Sequence, residues 1–227
     1  MKPLTERHLA ILRRHMVEVI EIEFDLTSEE IGKAALDWRV REAFLKVPRH
    51  LFVPAELALL AYQDTPLPIG FGKTISQPFI AALMVDLLNP GPDDRVLEVG
   101  TGLGYQAAIM AEFTGQVYSV EIVEELAMAA GYRLEQLGYT NIAIRVGDGS
   151  RGWAEYAPFD HIVVTAAAKQ PPQALLDQLK PGGRMLLPLG GKEQQRLTLI
   201  EKRRDGQPTT REIIAAHFTE LETDMGG

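Results

Sequence analysis

Apolar and polar positions along this chain follow two different periods. Near the start, Leu9, Leu12, Met16, Val19 and Ile20 recur every three or four residues, with Arg13, Arg14 and Glu18 on the other side. That spacing predicts an amphipathic helix over 4–22. A second helix is predicted from Asp25 or Thr27, where Ser28, Glu29 and Glu30 suit a first turn. Ile31, Ala34, Ala35, Trp38 and Leu45 would be its buried stripe, Pro48 its end, and Trp38 a core residue. Ile80, Leu83, Met84 and Leu87 predict a helix from Gln77 to Leu88, stopped by Asn89-Pro90-Gly91-Pro92. Beyond it, short apolar runs alternate with helical stretches. Strands are read at 96–99, 117–120, 142–147, 158–168 and 184–190, and helices follow at Ala107 to Ala111, 123–137 and 172–180. Such alternation marks a parallel sheet with crossover helices. QRLTLIEKRR and TREIIAAHF then predict an antiparallel hairpin around Asp205-Gly206, and the final TDMGG is expected to fray. The expected fold is α/β: a doubly wound, mostly parallel, Rossmann-like sheet with a helical N-terminal extension and an antiparallel C-terminal hairpin. Residues 1–92 would carry the extension and a functional loop, and 93–227 the ligand-binding core, packed as one domain.

Composition narrows the function classes. The 227 residues can bury a full core. The formal net charge is −8 with no Lys/Arg stripe, which argues against a nucleic-acid partner. There is no cysteine, so disulfides and thiolate metal sites are excluded and a reducing compartment is expected. The five histidines show no metal-ligand spacing. The first residues, MKPLTERHLAILRRHM, lack the apolar core of a signal peptide, and no run approaches the roughly 20 apolar residues of a membrane span. A cytoplasmic protein without metal, membrane or nucleic acid is the expectation.

The candidate chemistry starts at VLEVGTGLGYQAA, 96–108. A buried strand runs into Gly100, Gly102 and Gly104, and a helix follows, so a ligand can lie against bare backbone. Seventeen residues past Gly104, Glu121 ends the next strand, where a carboxylate can accept from two ribose hydroxyls. This is a nucleoside site. The G-x-G-x-G spacing differs from the G-x-G-x-x-G that brings a helix N-terminus to a pyrophosphate. Glu98, just before the turn, suits an ammonium better than a phosphate. Asp148-Gly149, after the third strand, is placed to accept from an adenine amino group. Gly72-Lys73-Thr74 looks like the end of a P-loop, but position 67 is Leu and no strand is read before it, so a nucleoside triphosphatase is rejected.

The loop AYQDTPLPIGFGKTISQPF, 61–79, is rich in glycine and proline yet keeps Tyr62, Leu67, Ile69, Phe71, Ile75 and Phe79. It is read as an irregular binding loop. With PRHLFVP, VLEVGTGLGYQAA, GDGSRGW, PFDHIVVTAAA and LKPGGRMLLPLG, it resembles the protein-L-isoaspartate O-methyltransferase family, class I enzymes dependent on S-adenosylmethionine, from about residue 48 to 191. The resemblance implies methylation of the free α-carboxylate of L-isoaspartyl residues in damaged proteins and peptides, by a monomeric repair enzyme. The ester then closes to a succinimide, part of which reopens to aspartate.

The resemblance also implies roles. Ser76 would be the catalytic serine, orienting one carboxylate oxygen rather than attacking. Thr74, Ile75, Ser76, Glu98, Gly100, Thr101, Gly102, Gly104, Glu121, Ile122, Asp148 and Gly149 would meet S-adenosylmethionine. Asp64, Pro68, Ile69 and Gly70, with Val164 and Ala166 opposite, would shape the substrate groove. A plain alternative for Ser76 is a cap on the helix that starts near Gln77. The sequence departs from the family at Lys73, often Gln, in the acidic N-terminal stretch EVIEIEFDLTSEE, and in the ending HFTELETD. These departures bear on substrate choice. Three competing readings are a carboxyl O-methyltransferase with a dedicated peptide or protein substrate, a nicotinamide or flavin enzyme, and a non-catalytic adaptor.

Overall fold

The computed structural model describes residues 5–224; Leu4, at the edge of the first expected helix, and the last three residues of TDMGG lie outside them. Helix α1 spans Glu6–Leu26 and buries Met16, Val17, Ile20 and Phe24. The expected second helix is divided. Helix α2 is one turn, Ser28–Ile31, closed by Gly32 in the left-handed region at φ 74°, and α3 resumes at Trp38–Lys46 behind an Asp37 cap. Of the predicted stripe only Ile31 is buried. Ala34, Ala35 and Trp38 are exposed, Trp38 by 71%. The break rotates α3 so that Val40, Ala43 and Phe44 face inward.

The loop over 61–79 holds regular structure that its glycines and prolines hid. Strands β1 (Leu67–Gly70) and β2 (Lys73–Ile75) pair antiparallel across Phe71 and Gly72, both at positive φ, 54° and 68°. Pro68 sits on the outer side of this two-stranded ribbon, where no further strand needs its missing N–H. A strand therefore does lead into Gly72-Lys73-Thr74. It continues into a second strand rather than a helix, so no phosphate loop forms.

Helix α4 (Pro78–Leu88) follows, buried at every position and stopped by Asn89 at φ 50°. Then come β3 (Arg95–Val99), α5 (Tyr105–Ala111), β4 (Gln116–Glu121), α6 (Glu124–Gln136), β5 (Ile142–Val146), β6 (Phe159–Val164), α7 (Gln173–Gln178), β7 (Leu179–Gly190), β8 (Gln195–Lys202) and β9 (Pro208–Ala215). The seven strands β3 to β9 form one sheet in the order β5-β4-β3-β6-β7-β8-β9. The first five are parallel, and β8 and β9 run antiparallel. Strand β7 begins at Leu179, so Pro181-Gly182-Gly183 lies inside a strand rather than closing a helix.

Alternate residues of β3 serve opposite faces: Val96 joins the core of α1, α3, α4 and α5, while Leu97 and Val99 join Trp153, Phe159 and Leu175. Burial on both faces explains the unbroken apolar runs. Strand order reverses at β3, with β4 on one side and β6 on the other, and ligands bind at such a point, beyond the carboxyl ends of the strands.

Candidate active site

Two connected cavities lie at that reversal. One is lined by Val99, Gly100, Gly102, Glu121, Ile122, Gly149, Thr165 and Ala166. The second, smaller one is lined by Arg49, Ile75, Ser76, Glu98, Thr101, Tyr105 and Gln106. Ile69, Thr74, Gly100, Gly102 and Thr165 border both. The glycine turn is needed for steric reasons. Gly100 holds φ 95°, and a Cβ there would stand 2.3 Å from Thr165 Oγ1, which donates to the Gly100 carbonyl at 2.8 Å. A Cβ on Gly149 would stand 2.3 Å from Val99 Cγ1.

Acidic groups are fixed around this turn. Glu121 accepts from Gly102 N at 2.8 Å and Val123 N at 3.0 Å, so it is locked facing the turn while lone pairs remain for a ligand. Glu98 is fully buried; its Oε2 accepts from Ser119 Oγ, and its Oε1 has no partner. Burial pushes the Glu98 carboxyl up to about 8, and the neighbouring Glu121 charge adds to this against the Ser119 hydrogen bond. Its buried oxygen without a donor can accept from a ligand ammonium, whose charge would favour the ionised carboxylate. The donor set therefore fits S-adenosylmethionine: glycine backbone for close approach, Glu121 for ribose hydroxyls and Glu98 for the amino group.

On the far side of β2 a groove of about 700 Å³ opens. Its walls are Pro66, Thr74, Ser76, Gln77 and Ile80 on one side, and Gln194 to Arg196 with Ala215 to Phe218 on the other. Ser76 and Thr74 border this groove and the cofactor side at once. Ser76 is not the cap of α4. That place is taken by Asp64, whose Oδ1 accepts from Phe79 N at 2.7 Å and whose Oδ2 accepts from Gln77 Nε2 at 2.6 Å. Asp64 thus supports the serine segment instead of lining the groove.

Other expected site residues fall elsewhere. Val164 is fully buried in the core of β6 and lines neither cavity nor groove. Pro68 and Gly70 are exposed on the hairpin, whereas Ile69 and Ala166 line the cofactor side. Gly104 caps α5 and packs toward Leu134. Asp148 is turned into its own loop: Oδ1 accepts from Ser150 N and Oγ, and Oδ2 from Asp224 N. Burial opposes the Asp148 charge, but the Ser150 and Asp224 hydrogen bonds and Arg151 outweigh it and hold the carboxyl below its usual range.

Two parts of the site leave no local signal in the sequence. The ending crosses the mouth of the larger cavity. Thr219 to Glu222 line it, Ala167 N donates to Thr219 O and Leu221 N to Ala167 O, both at 2.8 Å. Lys73 Nζ donates to Glu222 Oε1 at 2.7 Å, so its charge holds this segment down. Arg49, within PRHLFVP, is fully buried, and its Nη2 donates to the Ser76 carbonyl at 2.6 Å. The unusual segments were visible as sequence, but their long-range partners were not. Among the described residues no helix is long and apolar enough to cross a membrane, and no group of three or more His, Asp or Glu is placed to hold a metal ion.

Residues 25–225 match the family model described as protein-L-isoaspartate(D-aspartate) O-methyltransferase. A relative from Syntrophobacter fumaroxidans named protein-L-isoaspartate O-methyltransferase 2 is 57% identical over 92% of this chain and 85% of its own. One from Polaromonas sp., named protein-L-isoaspartate O-methyltransferase 1, is 51% identical over 96% and 93%. A solved protein-L-isoaspartate O-methyltransferase superposes with a TM-score of 0.80 at 28% identity, covering 94% of this chain and 67% of that one. A structure from Plasmodium falciparum, solved in complex with S-adenosyl-L-homocysteine, shares the fold at TM-score 0.78 and 24% identity, over 93% and 99%. A glycine cradle with two fixed carboxylates, a serine between cradle and groove, and this degree of identity make the chain a member of the protein-L-isoaspartate(D-aspartate) O-methyltransferase family.

Proposed function

We infer that this chain transfers a methyl group from S-adenosylmethionine to the free α-carboxylate of L-isoaspartyl residues, starting their repair through a succinimide. Family membership supports the reaction and the cofactor. One observation carries the residue roles: Ser76 borders the cofactor cavity and the large groove at the same time.

The nucleophile needs little activation. An α-carboxyl of pKa about 3.3–3.7 is ionised at neutral pH, so no general base is required. Bound S-adenosylmethionine supplies a methyl group already activated by its sulfonium. The protein must place one carboxylate oxygen in line with that methyl and exclude water, and positioning of this kind is worth roughly 7–11 kcal/mol. The Ser76 hydroxyl donates to the other carboxylate oxygen, orienting the group without taking its charge. Arg49 and Asp64 hold the Ser76 segment from behind. Hairpin residues Ile69, Lys73 and Thr74 and residues 219–222 line the cofactor side. The acidic balance of the chain supports a protein rather than a nucleic-acid substrate, and a cytoplasmic monomer goes with this reading.

The test uses two peptides identical except for one isoaspartyl or aspartyl linkage. Methyl transfer to the isoaspartyl peptide alone is expected. Equal rates on both would overturn the repair assignment and favour a general carboxyl methyltransferase.

A further inference from the structure

Arg49 is a fully buried cation with an incomplete set of partners. Its Nε donates to Ala61 O at 2.8 Å, its Nη2 to Ser76 O at 2.6 Å, and its guanidinium lies 4.9 Å from the centre of the Tyr105 ring. Nη1 is buried with no partner. Arg49 takes part in no ion pair among the described residues; burial pulls its pKa down, while Tyr105 and the more distant Asp64 charge offset this only in part. A guanidinium with no carboxylate in contact is costly inside a protein unless a ligand completes it.

The wall it shares holds the complementary group. Glu98 Oε1, also buried and unpartnered, lines the same small cavity, as does Gln106, whose Nε2 is unpartnered too. One cation and one carboxyl group thus line a single cavity without pairing to each other. That is the complement of a zwitterionic α-amino acid.

We propose that Arg49 anchors the carboxylate of the amino-acid end of the methyl donor while Glu98 takes its ammonium. The proposal rests on the cofactor reading above and extends it. The isoaspartyl carboxylate is the other possible source of the same chemistry. It is disfavoured because Arg49 lines the cavity on the cofactor side of Ser76 and not the groove beyond it. Through Nη2 the same fork carries the Ser76 backbone, so filling the anchor also fixes the serine's position. Lysine keeps the charge but cannot serve both places at once.

Calorimetric titration with three ligands tests the proposal: S-adenosylhomocysteine, its decarboxylated analogue, and 5′-methylthioadenosine. The unaltered protein should bind the first at least 30-fold more tightly than the second. In Arg49→Lys that preference should shrink below threefold, with 5′-methylthioadenosine affinity kept within threefold. Should Arg49→Lys fail to fold, the exchange-protected guanidinium of Arg49 can be followed by 15N NMR in the unaltered protein. It should shift with S-adenosylhomocysteine and not with the decarboxylated analogue. A preference that survives in Arg49→Lys, or an unaltered protein indifferent to the carboxylate, overturns the anchor. So does unchanged S-adenosylhomocysteine affinity in Arg49→Lys with a raised KM for the isoaspartyl peptide, which would assign Arg49 to the substrate. Failure of the unaltered protein to bind any of the three overturns the cofactor reading itself. Binding all three alike overturns only the anchor.

Discussion

The cofactor cradle and the serine hairpin meet at one site but are built differently. The cradle is backbone: Gly100 must clear Thr165, Gly149 must clear Val99, and Glu121 is held by two main-chain N–H groups at the ends of adjacent strands. The hairpin segment is held from a distance. Asp64 reaches forward to Phe79 N, Arg49 reaches 27 residues to Ser76 O, and Lys73 reaches 149 residues to Glu222. A cradle of the first kind tolerates surface change but no added volume. A segment of the second kind depends on single side chains far away in the chain. Binding and chemistry should therefore respond to different substitutions, except at Arg49, which touches both parts.

The largest break is expected in the cradle. Gly100→Val places a branched side chain at φ 95° and into Thr165 Oγ1, and should weaken S-adenosylhomocysteine binding more than 100-fold in a calorimetric titration. An intermediate effect is expected behind the hairpin. Asp64→Ala removes the acceptor at the N-terminus of α4 and should cost about 0.5–2 kcal/mol in denaturant unfolding. Turnover should fall with it while cofactor affinity is kept.

A third test concerns protons. The folded, ligand-free protein keeps a proton on Glu98 up to about pH 8, whereas the unfolded chain loses it near 4.5. The folded state then binds more protons within that window, so this group makes stability fall as pH rises from about 4.5 to about 8 and level off above. Glu98→Gln should remove that slope in thermal melts. Binding an ammonium favours ionised Glu98, so titrations at pH 7 in buffers of different ionisation heat should show proton release, absent in Glu98→Gln. The smallest effect is expected at Trp38. At 71% exposure, Trp38→Ala should change stability by no more than about 0.5 kcal/mol.

How much was legible follows the same division. Strand runs, the Gly100-x-Gly102-x-Gly104 turn and Glu121 could be read because period and spacing encode them locally. The break at Gly32 is hidden because Ala34, Ala35 and Trp38 keep a helical period while facing solvent. The β1–β2 hairpin reads as irregular loop because its turn uses Phe71 at positive φ, where Asn or Gly is the usual signal. Asp148 stands after a strand, where the sequence points it at a ligand, but its carboxylate accepts from Ser150 and from Asp224 at the far end of the chain. Pairings over 27, 76 or 149 residues leave no local period to read.

The central claim is that Ser76 acts on the substrate carboxylate and not on the cofactor, and Ser76→Ala tests it most directly. Turnover of an isoaspartyl peptide and the Kd of S-adenosylhomocysteine should be measured on the same preparation. The expected result is kcat lower by about 100-fold, the scale of losing one oriented hydrogen bond at a reacting group, with Kd changed less than threefold. Unchanged turnover, or a loss of cofactor affinity matching the loss of rate, would contradict it.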